Sequence, residues 1–343
     1  MINENKKIGG EFEINLSNLI NFNPFKEHYN HFLFSNGRSA LAFLLQLLKK
    51  EKKHTIHLPF YICPSVVQVS IAAGFKIKFY ELDDNLLFPI YYIEEIGFDE
   101  ILIIVNYFGF TDDNKIIKQI KRDRNDITII GDHVQSFWTL NKSEADYTFT
   151  SLRKHFPVPD GALLFSNNFT FSIPDIPENI FYYSKLIGSI LKSQQLPDEI
   201  YLYYLNKGES LIHDSSNFNK ASLLSHYLFE SLNFKQISSR RKENCKYIYE
   251  SDLKDEVEFV FNYSEDIIPM NIPVIVKNRN IVLNKLKKCG IFLPVHWTIN
   301  DYNNTSTMSK FMSENEMSLI VDQRYSNEDM LYQVEKLIQA IKY

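Results

Sequence analysis

The sequence lacks several things that would assign it to a specialised class. Cysteine occurs three times, as Cys63, Cys245 and Cys289, with no C-x-x-C pair. An odd, unpaired set fits a reducing cytoplasm and argues against a disulfide framework or a zinc-ligand set. Positive charge is not in excess: 37 Lys plus Arg stand against 42 Asp plus Glu, a net charge of −5, so there is no overall basic field to hold a nucleic-acid backbone. Long apolar runs are missing as well. The longest, Ile101 to Val105 continuing past Asn106 to Phe110, is roughly half of the ~20 residues that a membrane helix needs. The opening MINENKKIGGEFEINL carries no apolar stretch of the secretory kind. No G-x-S-x-G, G-x-x-x-x-G-K-[ST] or G-x-G-x-x-G occurs, which lowers hydrolase, nucleoside-triphosphatase and dinucleotide readings. The expectation is a cytoplasmic protein with no membrane or nucleic-acid partner.

What is present is an ordinary globular composition, 45% hydrophobic and 23% charged. A length of 343 residues suits one large domain plus a smaller one. From residue 38 to 166, β-branched and aromatic runs alternate with helical stretches, as a parallel sheet with crossover helices requires. The expected strands are His54–Pro59, Phe75–Leu82, Ile101–Tyr107, Asp126–Gly131, Tyr147–Ser151 and Ala162–Ser166. Helices are expected over Ser39–Lys50, with its cationic end at the C-terminus, and over Pro64–Ala73, which opens on proline and stops at Gly74. Residues 171–235 lose the alternation and read as covering helices. Beyond them lies an α+β unit: a charged helix through Arg240 to Glu250, strands near Val257–Phe261, Ile272–Val276 and Ile291–Trp297, a helix over Ile281–Cys289, and a terminal helix from Asn327. The division is 1–235 for an α/β domain and 236–343 for a small α+β domain.

In open α/β sheets ligands bind beyond the carboxyl ends of the strands, and three groups have that placement. Ser35-Asn36-Gly37-Arg38-Ser39 opens directly into a helix, so amides at its N-terminus, the Ser39 hydroxyl and the Arg38 guanidinium would suit an anion such as phosphate. A plain Ser/Asn cap is the competing explanation. Ile129-Ile130-Gly131 runs straight into Asp132, whose carboxylate needs a cationic or protonated partner unless it caps the next turn. Thr150-Ser151-Leu152-Arg153-Lys154 precedes the stiff turn Pro157-Val158-Pro159-Asp160-Gly161. Lysine among Phe149, Leu152 and Phe156 would have its ammonium form disfavoured by desolvation, as an amine nucleophile requires, or it is a surface lysine. Together, phosphate turn, carboxylate and lysine are what pyridoxal phosphate needs.

With these motifs, with Leu58-Pro59-Phe60-Tyr61-Ile62-Cys63-Pro64, and with Arg240-Arg241, Asn244 and Asp322-Gln323-Arg324-Tyr325, the chain resembles the DegT/DnrJ/EryC1/StrS family of pyridoxal-phosphate-dependent aminotransferases. The resemblance implies fold type I: a mixed, mostly parallel sheet flanked by helices, plus the small C-terminal domain. It implies Lys154 as the Schiff-base lysine that also moves the proton, and Asp132 as the partner of the pyridine nitrogen. Gln135 would lie near the phenolic oxygen, Gly37, Arg38, Ser39 and Ser151 would hold the phosphate, and Tyr61 or Cys63 would stack on the ring. It further implies pyridoxal 5'-phosphate as cofactor, an amino acid such as glutamate as donor, a nucleotide-linked keto sugar for surface polysaccharide or a specialised metabolite as acceptor, and a homodimer.

Two departures set the chain apart. Gly37-Arg38 stands where the family has Gly-Thr, and Val158-Pro159-Asp160-Gly161 where it has Gly-Glu-Gly-Gly. They keep two alternatives in view: a regulatory or inactive homologue that binds the cofactor without turnover, and a sugar dehydratase. Lys154 argues against the latter, since the dehydratase relatives carry a non-lysine there. Arg240, Arg241 and Arg324 are candidates for cations in a nucleotide-diphosphate pocket, or else surface residues. No metal is expected: His54 and His57 point to opposite faces of a strand, and His28 and His31 lack a third ligand. His296 and Trp297 end a strand of the second unit and either face the substrate or are a packed aromatic beside a polar tip.

Overall fold

The structure is a computed structural model, and it describes residues 7–15, 32–167, 176–213, 218–297 and 307–342. The His28 and His31 pair lies outside the described residues, as does 171–175. Twelve strands occur among the described residues: β1 (Ile8–Gly9), β2 (Phe32–Phe34), β3 (Thr55–Pro59), β4 (Lys76–Tyr80), β5 (Ile101–Val105), β6 (Thr128–Asp132), β7 (Tyr147–Phe149), β8 (Ala162–Ser166), β9 (Glu258–Phe259), β10 (Asn271–Ile275), β11 (Ile291–Phe292) and β12 (Glu316–Ile320). The helices are α1 (Gly37–Lys50), α2 (Pro64–Ala72), α3 (Asn114–Asp123), α4 (Phe181–Ser193), α5 (Asp198–His213), α6 (Leu223–Glu230), α7 (Phe234–Glu250), α8 (Arg279–Lys288), α9 (Thr307–Asn315) and α10 (Asn327–Lys342).

The main sheet has the order β2-β8-β7-β6-β5-β3-β4. From β4 to β7 all pairings are parallel, and β8 joins β7 and β2 antiparallel. Central strands of a covered parallel sheet carry apolar residues on both faces, and β5, Ile-Leu-Ile-Ile-Val, is buried throughout. Chain order reverses between β3 and β5, which leaves a crevice beyond their carboxyl ends. Helix α1 begins two residues before the expected Ser39 because Asn36 caps it, its side chain accepting from the Ser39 N–H at 3.0 Å. Pro64 opens α2, and Gly74, at φ +76, ends that segment as expected.

The second unit is built on β12-β10-β9, an antiparallel sheet, with its own core around Ile248, Ile272, Leu286, Leu319 and Leu337. The 1–235/236–343 division is corrected at both ends. Strand β1 pairs with β11, and Ile8 belongs to the second unit's core. Helix α7 crosses the expected boundary: Ile237 and Phe234 pack in a core under the lysine turn, whereas Cys245 and Ile248 pack in the second unit. The expected strand Ile291–Trp297 stops at Phe292, ahead of Pro294, which has no N–H to donate. Strand β12 was not anticipated, because its first residue, Glu316, is charged yet fully buried, accepting from Ser318 Oγ and from the His296 N–H.

Candidate active site

Three residues in register define the floor of the site. Val105, Asp132 and Phe149 are neighbours across β5, β6 and β7, so their side chains point to the same face of the sheet. All three line a cavity enclosing about 890 Å³ of empty space, its open mouth included.

Asp132 ends β6 and is buried. Its Oδ1 accepts the Val134 N–H at 3.0 Å, and among the described residues no donor meets Oδ2. Burial pushes the carboxyl up to about 7. Gln135, also buried, accepts the Phe108 N–H on Oε1 while its Nε2 has no partner. The cavity thus presents an unmatched acid and an unmatched donor, side by side.

At one end stands the start of α1. Gly37 and Arg38 line the cavity, and their amides, the first of the helix, meet no acceptor among the described residues. The Arg38 guanidinium likewise has no ion-pair partner there. Ser151 approaches the same spot: a methyl group on Gly37 would lie 3.8 Å from the Ser151 Cβ. Amides, guanidinium and hydroxyl converge as an anion cradle would require. Ser39 is a correction. As the third residue of the capped helix it is turned inward, its Oγ bonded to Ser35 Oγ at 2.8 Å, and it does not line the cavity.

Lys154 lines the cavity and is exposed to it. The expected apolar surroundings are absent: Leu152 and Phe156 fill a different core, with Leu228 and Phe229, so only Phe149 shares the cavity with it. The turn carrying the lysine is firmly held. Asp160, fully buried, accepts from Ser222 N–H, Ser222 Oγ and Asn179 Nδ2. Gly161 donates to Ser35 O at 2.7 Å, tying this turn to the one before α1. His155, next to the lysine, has its ring pushed down to about 3 by burial first and then by Arg241. It stays neutral at neutral pH, with Nε2 3.0 Å from Val134 O.

Of the two ring-stacking candidates, Cys63 lines the cavity and Tyr61 does not. Tyr61 is buried behind the wall, 5.1 Å from Trp297 and 5.6 Å from Tyr107 by ring centroids, and its hydroxyl donates to His296 O. The three arginine candidates all lie elsewhere. Arg241 is fully buried and donates to Pro269 O, Met270 O, His155 O and Gln323 Oε1. Arg324 is engaged bidentately by Asp322 and reaches Glu13. Arg240 pairs with Glu243 on the surface. His57 is packed between Glu100 and Tyr92, and no group of three His, Cys, Asp or Glu that could hold a metal occurs among the described residues.

The structure adds Arg153, Glu209, Ile212 and Met270 to the cavity wall, and His296 and Trp297, weighed above as facing the substrate, line it too. Arg153 was visible inside the Ser-x-x-Lys motif. Glu209 had no signal, since it comes from α5, in a stretch that read only as a cover.

No protein-family model matches the chain, and no curated protein matches it. Solved structures do match, and they show the fold: the chain is built like the type I fold of pyridoxal-phosphate-dependent transferases. A Streptococcus pneumoniae protein assigned as a sugar aminotransferase, solved in its PMP form, is 13% identical with TM-score 0.71 and covers 98% of each chain. A DegT DnrJ EryC1 StrS aminotransferase from Brucella abortus is 15% identical with TM-score 0.63, over 92% of this chain and 87% of that one. The E. coli GDP-4-keto-6-deoxy-D-mannose-3-dehydratase with bound hydrated PLP is 16% identical with TM-score 0.65, over 91% and 87%. The likeness expected from the motifs therefore holds for the fold.

Asp132 sets a test that needs no ligand. Its folded pKa, about 7, exceeds the unfolded value of about 3.9. Below pH 4 both states are protonated and nothing is lost. Between pH 4 and 7 the unfolded chain ionises first, so stability falls, by about 4 kcal/mol once pH exceeds 7. Asp132→Asn should therefore make the ligand-free protein more stable at pH 8, with the gain vanishing near pH 4. Urea unfolding at both pH values checks this, and an Asn variant less stable at pH 8 would contradict it.

Proposed function

We infer that the protein is a pyridoxal-phosphate-dependent aminotransferase. The observation that carries the reading is the convergence of Asp132, Lys154 and the open start of α1 on one cavity. The residues fit the cofactor. Gly37 and Arg38 amides, the Arg38 guanidinium and Ser151 Oγ suit its phosphate. Asp132 Oδ2, without a protein donor, suits a protonated pyridine nitrogen, and Gln135 Nε2 suits an oxygen acceptor. When bound, the cofactor supplies an electron sink for the carbon that bears the amino group.

The protein's own groups then have separate tasks. Asp132 holds the proton on the ring nitrogen, which is the cationic partner its burial demands. Lys154 Nζ would take the proton released from the donor's α-carbon and pass it to the cofactor, and in the second half-reaction would carry a proton back to the carbon that receives the amino group. Cys63, Met270 and Trp297, with the floor residues Val105 and Phe149, shape an apolar wall that limits water. Glutamate is the donor in this reading and a keto sugar on a nucleotide the acceptor. The sugar aminotransferases and the sugar dehydratase among the structural neighbours support a sugar-modifying reaction.

A homodimer and a cytoplasmic setting belong to the same reading. The exposed apolar side chains Ile180, Tyr183 and Ile187 near α4, with Ile200, Leu202 and Tyr203 on α5, support a covered face.

Single-turnover chemistry tests the reaction. With pyridoxal phosphate and L-glutamate but no acceptor, the protein should lose its visible band and form one 2-oxoglutarate per site. Lys154→Ala should slow this at least a thousandfold. A stable band and no 2-oxoglutarate would favour a non-catalytic homologue, and conversion of a keto sugar to a deoxy product without amine would favour elimination.

A further inference from the structure

Arg153 is a cavity residue with hydrogen-bonding capacity to spare. It stands beside Lys154 in the same short turn and lines the same cavity. Its Nε and Nη1 are buried and have no acceptor, which leaves three N–H bonds unmatched on a permanently charged group. Such donors are costly to leave unsatisfied away from water. One face of the guanidinium is covered by the Phe181 ring, 5.9 Å from its centroid.

Among the described residues its single acceptor is Glu209, and the contact is loose: Arg153 Nη2 lies 3.4 Å from Oε2, whereas Lys185 Nζ lies 2.8 Å from the same oxygen. Lys185 is almost fully buried and also binds Glu11. Burial works to raise the Glu209 carboxyl, and Arg153 and Lys185 together overcome this and hold it at about 2. Glu209 is therefore an anion shared by Arg153 and Lys185, with Lys185 the nearer of the two. It orients Arg153 and leaves most of its donors for something else. Arg38, at the start of α1, is a separate cation on the cavity wall, so a phosphate there would leave Arg153 unanswered.

We propose that Arg153 is the receptor for a carboxylate of the amino donor, with Phe181 and Glu209 holding the guanidinium in place. The proposal rests on the aminotransferase reading. An amino acid carries a carboxylate one bond from its reacting carbon, so a receptor beside the lysine is where that group arrives, and a planar, multiply donating cation matches it better than a lysine would.

The test compares full-length parent, Arg153→Gln and Arg153→Lys. A visible band with pyridoxal phosphate in all three shows that cofactor binding and folding are intact. Bleaching is then followed with L-alanine, which has only an α-carboxylate, with γ-aminobutyrate, which has only a distal one, and with ethylamine, which has neither. Arg153→Gln should raise the half-saturating concentration of one of the two carboxylate-bearing donors at least tenfold and change ethylamine less than twofold, with Arg153→Lys between parent and Gln. Which of the first two amines responds identifies the carboxylate that is bound. Independently, calorimetric titration of the cofactor-free proteins with succinate, in phosphate buffer so that phosphate fills the Arg38 end, should show at least tenfold weaker binding to Arg153→Gln. Equal succinate binding by parent and Gln variant, or an equal effect on all three amines, would overturn the proposal. If even the parent gives no band, the aminotransferase reading fails, and the succinate titration still decides whether Arg153 binds carboxylates.

Discussion

The account depends on a buried carboxylate that the protein does not neutralise. Asp132 sits at the end of a central parallel strand with one oxygen bonded to its own turn and the other bonded to no donor among the described residues. An ionised carboxylate in that position is unfavourable unless a cation or a proton donor meets it. At two other buried carboxylates the problem is solved within the chain: Asp322 has Arg324 at 2.7 Å, and Asp160 has three neutral donors; Asp113, away from the cavity, shares the predicament of Asp132. At Asp132 no donor among the described residues does this, and in the reading we propose a protonated ring nitrogen would. The stability lost in the ligand-free protein is then regained as binding energy for that ligand.

A site built this way needs its other members held still, and the anchors lie one layer back. Arg241 reaches from α7 to the backbone of His155 and of Pro269 and Met270, so one buried guanidinium connects the lysine turn to the second unit's edge of the cavity. Asp160 and Gly161 connect the same turn to Ser222, Asn179 and Ser35. The departure Val158-Pro159-Asp160-Gly161 is thus a structural lock. Its carboxylate faces α6 and away from the cavity, and Gly161, at φ +122, allows the chain to turn back toward Ser35.

Much of this was legible from residue order. Apolar runs ending in a polar residue marked β5 and β6, and Asp132 followed directly from that pattern. The polar turn Ser35 to Ser39 marked the approach to α1, although the helix starts at Gly37 and not at Ser39, and the Ser-x-x-Lys spacing marked the lysine. What was illegible depended on tertiary partners. Nothing in the chain says that Arg241 is internal, because only folding brings four acceptors to it. Tyr61 and Cys63 are two residues apart, and the choice between them is made by Tyr107 and Trp297, which pack against the tyrosine. Glu209 reaches the cavity from a helix with no local mark of function, and Ile8 joins the second unit through a pairing with Ile291 that no local signal encodes.

The most direct measurement of the central claim is covalent mapping. The protein is incubated with pyridoxal phosphate, reduced with borohydride, digested and examined by mass spectrometry, with Asp132→Asn treated in parallel. The account predicts one cofactor-derived mass per chain, on the peptide containing Lys154, and much less labelling at limiting cofactor in the Asn variant. Labelling spread over surface lysines, or labelling of Lys154 that is indifferent to Asp132, would contradict it.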